Sequence, residues 1–329
     1  MKNQLHQLYA QEPLSRDAAY ETLSRIGNGR ATDIEIAAVV SAVNMRPAVL
    51  SEIQGFRDAM LELAHPIDLG GRETIDIVGT GGDGKNTFNI STLASVVVAG
   101  AGYPVTKHGS YGVSSNVGSS DVLQALGYTF TNDQDTLLRT LDRTGICFFH
   151  APLFHPAMKN VVPIRKSLGV RTFFNLLGPL LNPARPKYQV FGTYDRQVAR
   201  IYDYLLQDET GREFSIVHAL DGYDEISLTG AASVRSRERQ RLLHPQDFGL
   251  PALTTEDLHG GETAEDGKAI FLAVLNNAAT PAQRDVVCAN AGLAIHTIHP
   301  DRSLPDCVAE AAESLSSGRA LGVLNRLIN

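Results

Sequence analysis

Apolar positions over residues 1 to about 65 recur at helical spacing, and no stretch alternates as a strand would. Ser15 to Ile26 predicts one helix, with Ala18, Ala19, Leu23 and Ile26 on a common side. Asp33 to Val43 predicts a second, opened by Thr32-Asp33 as a cap, with Ile34, Ile36, Ala37, Val40 and Val43 free to pack. Arg46-Pro47 breaks it, and Leu50 to Leu63 predicts a third. Nothing in this region groups catalytic side chains, so it is expected to be a small helical domain and one wall of a cleft.

After a linker from His65-Pro66 to Gly70-Gly71, the pattern changes to short apolar runs alternating with helical stretches. Strands are expected at Thr74–Val78, Val105–Lys107, Cys147–His150, Tyr188–Gly192 and Phe214–Ala219. Helices are expected at Thr92–Gly100, Ser119–Leu126 and Arg196–Gln207. This alternation predicts an α/β domain with a mostly parallel central sheet and ligand sites at the strands' carboxyl ends. Val162 to Pro186, rich in Pro, Gly and Asn, interrupts it and reads as a long functional loop. Leu250 to Asp266 reads as loop, and Lys268–Leu275, Arg284–Ala294 and Val308–Ser317 as closing helices.

Composition narrows the classes. A chain of 329 residues suggests about two domains, and 43% hydrophobic with 20% charged residues supplies an ordinary soluble core. A net charge of −7 argues against nucleic-acid or anionic-membrane partners, while leaving room for a local basic pocket. The first residues lack an apolar signal region and no run reaches membrane-spanning length, so a cytoplasmic protein is expected. Cys147, Cys288 and Cys307 are widely spaced and form no metal or redox pair; they read as buried thiols.

The candidate chemistry sits at 76–127. Thr74–Val78 runs into Gly79-Thr80-Gly81-Gly82-Asp83-Gly84, whose glycines let backbone N–H groups approach a ligand. Asn89, Ser91 and Thr92 then open a helix, and bare N–H groups with the positive helix end suit a phosphate or pyrophosphate. Four readings compete. Gly79, Gly81 and Gly84 satisfy a dinucleotide fingerprint, but the position for its ribose-binding acid holds the basic Val105-Thr106-Lys107-His108. Gly79 to Lys85 nearly matches a P-loop, but Asn86 replaces the magnesium-binding hydroxyl. A turn without ligand would waste many donors. The remaining reading is a seat for the pyrophosphate of a phosphoribosyl donor.

A series of blocks in order along nearly the whole chain closely resembles the anthranilate phosphoribosyltransferase family. They are Gly79-Thr-Gly-Gly-Asp-Gly, Thr87-Phe-Asn-Ile-Ser-Thr, Lys107-His-Gly, Val113-Ser-Ser, Asp121-Val-Leu and His155-Pro-Ala-Met-Lys. Arg165 through Leu168-Gly-Val-Arg-Thr, Asn175-Leu-Leu-Gly-Pro-Leu with Asn182-Pro, and Asp221-Gly-Tyr-Asp-Glu-Ile-Ser complete the series. The resemblance implies transfer of the 5-phosphoribosyl group of phosphoribosyl pyrophosphate to the amine of anthranilate, in tryptophan biosynthesis, with Mg²⁺ and as a homodimer. It implies a helical domain over 1–70 with a return segment at about 163–186, and an α/β domain over 71–162 and 187–329.

By the same resemblance, Gly79, Gly81, Gly82, Asp83, Thr87, Asn89, Ser91, Thr92, Lys107 and Ser119 would hold the donor. Gly79, His108, Ser110, His155, Arg165, Gly178 and Pro179 would meet anthranilate, Arg165 gripping its carboxylate with a planar fork. Ser91, Asp224 and Glu225 would bind Mg²⁺, in a turn where Asp221, Asp224 and Glu225 place three carboxylates in five residues. No general base is assigned, because an arylamine lone pair is available near neutral pH. A zinc site from His150 and His155 finds no supporting ligand motif. Alternatives of the same fold are a pyrimidine nucleoside phosphorylase, which should lack the Asp224-Glu225 pair, and a nucleic-acid-binding relative, which should show a basic face. The chain departs from the family at Ser110-Tyr111, where Asn-Arg is usual, and at Glu265-Asp266, near the usual Glu-Asn.

Overall fold

The computed structural model describes residues 1–112 and 117–329, so the Val113-Ser114-Ser115 block lies outside the described residues. The chain divides into two compact units, one of residues 1–67 and 151–185, the other of 68–150 and 186–329. The return to the first unit opens at Ala151, immediately after a strand ends, rather than at about 163.

The first unit is helical. Arg16–Gly27, Asp33–Asn44 and Leu50–Glu62 form its body, joined by Lys2–Tyr9, which the apolar pattern did not announce. Thr32 and Glu35 make a reciprocal capping box, and Ser15 caps the preceding helix. Gly55 permits close helix crossing, since a Cβ there would strike the backbone at Arg16 and Tyr20. The stretch expected as loop instead holds short helices at Val162–Leu168 and Phe174–Leu177 and a 3₁₀ turn at Gly178–Leu181. Phe173 anchors it by stacking on Phe56 at 4.4 Å. Pro163 and Pro179 sit in the first turns of their helices, where no amide donor is missed, and Gly169 at positive φ ends one.

The second unit is built on a seven-stranded sheet: β1 (Ile75–Gly79), β2 (Val105–Gly109), β3 (Ile146–His150), β4 (Tyr188–Gly192), β5 (Glu213–Ala219), β6 (Ala232–Ser236) and β7 (Gln240–Leu243). Their order is β3-β2-β1-β4-β5-β6-β7, parallel through β5 and antiparallel for the last two pairs. The β6–β7 hairpin was not foreseen, because Arg235, Arg239 and Arg241 break up the apolar alternation expected of a strand, as edge strands often require. Ile90–Gly100 and Pro281–Ile298 carry the core, which includes Leu93, Val97, Val287 and Ala291. The later helices start earlier than the apolar runs suggest, at Ala264, Pro281 and Leu304, because Thr263, Thr280 and Ser303 cap them. Arg319–Ile328 closes the chain.

Candidate functional site

Strand order reverses at β1 and β4, which are neighbours although β2 and β3 lie between them in sequence. The carboxyl ends of two such strands flank the crevice where open α/β sheets take ligands. Here the ends are a matched pair, Gly79-Thr80 and Gly192-Thr193, with Gly79 opposite Gly192 and the Thr80 amide donating to the Gly192 carbonyl at 3.0 Å. Both glycines are required by what lies over them. A Cβ on Gly79 would collide with the Asp224 carboxylate, and one on Gly192 with the Asp224 backbone.

Asp224 and Glu225 come from the β5–β6 connection, where Ala219 and Tyr223 close a tight turn by a backbone hydrogen bond. Asp224 Oδ2 accepts the Gly81 amide at 2.7 Å, tying this turn to the glycine loop. Gly81, Gly82 and Gly84 all adopt positive φ, between 62° and 77°, the conformation for which glycine is suited. Asp83 accepts from the Lys85 amide, and the loop's far end is pinned by Asn86, whose Nδ2 donates to the Gly261 carbonyl.

The electrostatics of this loop are unbalanced. Burial, then the neighbouring Asp83, pushes Asp224 up to about 6. Burial followed by Asp224 and Asp83 holds Glu225 well above the ordinary carboxylate range, against hydrogen bonding from Thr87 and the charge of Lys107. Asp83 is itself raised by burial. Among the described residues, Glu225 Oε1 has no hydrogen-bond partner, nor do the buried hydroxyls of Thr80 and Thr92. Orphaned buried acceptors and crowded carboxylates are what a hard cation would relieve. Among the described residues no group of three or more His, Cys, Asp or Glu could by itself hold a metal. That leaves a pair of carboxylates, the number Mg²⁺ commonly takes from protein when phosphate oxygens and water complete its shell. Asp221, expected to be a third acid of the turn, bonds Thr229 Oγ1 instead.

Lys107 was expected to emerge at a strand end. Instead β2 continues to Gly109, and Lys107 is buried in mid-strand with its Nζ donating to the Ile77 carbonyl at 2.6 Å. Burial lowers its pKa to about 8, opposed by Asp76 and Glu225. The next residue, His108, is buried, and its amide donates to Asp76 Oδ1 at 3.3 Å. Asn89 precedes the helix but makes no side-chain cap; its Nδ2 donates to the Val117 carbonyl. Ser91 and Thr92 follow in the first turn, Thr92 buried and Ser91 half-buried. Ser119 Oγ donates to the Ser110 carbonyl at 3.3 Å. Thus Gly79, Gly81, Asp83, Thr87, Lys107, Asp224 and Glu225 belong to one electrostatic cluster. The sequence reading passed over Thr80 and Gly192, though the repeated Gly-Thr after two strands was a usable signal.

His155, Arg165, Gly178 and Pro179 belong to the helical unit. Burial lowers the His155 pKa to about 4, and a hydrogen bond to the Leu181 backbone partly opposes this. Arg165 donates to Asn175 Oδ1 at 3.1 Å and lies over the Phe174 ring at 5.5 Å. Burial lowers its pKa, and no carboxylate pairs with it among the described residues. Pro179 is buried, and Gly178 has open space where a side chain would be. The acidic pair at Glu265-Asp266 opens a helix: Asp266 caps it in a reciprocal box with Thr263.

Family models place the first boundary similarly but carry the α/β match straight through the return segment 151–185. Residues 2–64 match the helical bundle domain of a glycosyl transferase family and residues 71–321 its a/b domain. The class is therefore a glycosyl transferase that pairs a helical bundle with an α/β unit. Curated relatives refine it. Anthranilate phosphoribosyltransferase of Cytophaga hutchinsonii is 52% identical over 320 residues, covering 97% of each chain. That of Bacteroides thetaiotaomicron is 47% identical over 328 residues, covering 100% of this chain and 98% of the other. Among solved structures, the Thermus thermophilus enzyme superposes with TM-score 0.89 at 35% identity, covering 98% of both chains. The Saccharomyces cerevisiae enzyme in complex with PRPP and Mg gives 0.91 at 27%, covering 98% and 95%. The chain belongs to the anthranilate phosphoribosyltransferase family.

Proposed function

We infer that this protein transfers the 5-phosphoribosyl group of phosphoribosyl pyrophosphate to the amine of anthranilate, releasing pyrophosphate, as a step of tryptophan biosynthesis. The observation that carries the reading is the glycine loop clasped by Asp224 at the β1–β4 switch point, with an acid pair left electrostatically uncompensated. In the reaction the C1–O bond to pyrophosphate breaks with its electron pair leaving on oxygen. The amine lone pair forms the new C1–N bond, and the surplus amine proton passes to solvent.

Charge develops on the departing pyrophosphate, so preorganised donors are the main catalytic requirement. Gly79, Gly81, Gly82 and Asp83 form the floor under it. Thr87, Asn89, Ser91, Thr92 and Ser119 supply further hydrogen bonds, and Lys107 supplies positive charge within reach of Glu225. Asp224, Glu225 and Ser91 would hold Mg²⁺, which when bound neutralises pyrophosphate charge. For anthranilate, Arg165 offers a guanidinium that no carboxylate among the described residues pairs with, and His155, Gly178 and Pro179 belong to the same helical unit. Gly79, His108 and Ser110 serve from the α/β unit. The same reading carries a homodimer acting in the cytoplasm, checked by sedimentation of the purified protein and fractionation of cells.

The direct experiment follows loss of anthranilate fluorescence with the donor, alongside pyrophosphate release. One pyrophosphate per anthranilate consumed is expected. Phosphorolysis of uridine or thymidine with no use of anthranilate would replace this reading with the nucleoside phosphorylase one.

A further inference from the structure

The loop after β2 carries Ser110-Tyr111, and the structure shows what holds it. His150 ends β3, in register with Gly109. The residue is 5% exposed, its ring stacked on Phe130 at 4.3 Å and met edge-on by Tyr111 at 4.9 Å. Its Nδ1 shares a 2.9 Å hydrogen bond with Oγ of Ser120, a fully buried residue. Ser120 belongs to the helix Ser119–Ala125, on whose first turn the loop hangs. The Ser120 amide donates to the Ser110 carbonyl at 3.1 Å, and Asp121 Oδ2 accepts the Gly112 and Gly118 amides at 2.8 and 2.7 Å.

We propose that His150 and Ser120, with Tyr111, brace residues 110–112 and so act as positioning residues for the amine acceptor; this rests on the functional reading above. His150 grips both parts at once, the helix through Ser120 and the loop through the Tyr111 ring. The brace is stiff because losing either polar partner strands a buried polar atom, whereas replacing both by apolar groups of similar shape is nearly neutral. A loop held by its backbone and one ring fixes Ser110 beside His108 without a long side chain. Small misplacements of such contacts cost turnover heavily.

The test uses the full-length enzyme carrying Ser120→Ala, His150→Phe, or the pair Ser120→Ala/His150→Phe; the Phe keeps a ring between Tyr111 and Phe130. Each single change is expected to raise KM for anthranilate about tenfold, with KM for the donor within about twofold. The pair should return to within about threefold of the parent. Amide exchange in peptides covering 110–112 should rise in the single variants and fall back in the pair. A parallel rise in both KM values, a pair no better than its singles, or unchanged exchange would overturn the proposal. A parent enzyme inert toward anthranilate would sink the functional reading and the acceptor role, while the exchange arm alone would still decide the brace.

Discussion

Glu225 combines burial with like-charged neighbours and an oxygen that no described residue satisfies. A group arranged this way weakens the ligand-free protein in order to serve a ligand. Glu225→Gln should therefore stabilise the free enzyme at pH 8 by on the order of 1 kcal/mol in denaturant unfolding while removing most turnover; a loss of both would contradict the strain argument. His155 allows a second check on charge and burial. Its pKa in the folded protein, about 4, lies below the ordinary 6.5, so the unfolded chain takes up the proton first. Stability from this group is complete above about pH 6.5 and declines as pH falls toward 4, by on the order of 3 kcal/mol. His155→Gln should flatten that acid decline in urea unfolding measured across the window, and an unaltered slope would refute the assignment.

At the scale of elements, β1 and β4 end in glycines because the acidic turn lies directly on their backbones. Gly192→Ala, remote in sequence from the glycine loop, should destabilise by about 1–3 kcal/mol and abolish activity, since overpacking must lift Asp224. Normal activity in that variant would separate the turn from the site. What the sequence made legible here was the loop itself, since a strand running into glycines and then into an apolar helical run marks a strand, turn and helix start. What it could not show was which strand would lie beside β1. Gly192 gains its meaning only from pairing with a strand more than a hundred residues upstream. The β6–β7 hairpin was hidden because its arginines mask the strand pattern. Gln134–Thr144, by contrast, was readable and missed, with Asp133 as cap and Gly145 in the left-handed conformation at its end. Lys107 was expected at a strand end, because both the continuation of β2 to Gly109 and the burial of Lys107 depend on the sheet around them.

At the scale of the molecule, ligand binding and global stability are linked, because donor and metal bind only the folded chain. Donor and Mg²⁺ together at about a hundred times their dissociation constant should add about 2.7 kcal/mol to unfolding. The donor without Mg²⁺ should add far less, because the Asp83, Asp224 and Glu225 charges would then face pyrophosphate uncompensated. Equal stabilisation with and without the metal, read by thermal unfolding, would contradict this. The measurement bearing most directly on the central claim is anthranilate fluorescence loss in the parent and in Asp224→Asn/Glu225→Gln, each with and without Mg²⁺ and each shown folded by circular dichroism. The account predicts magnesium-dependent transfer in the parent and none in the folded double variant; undiminished transfer in that variant would contradict it.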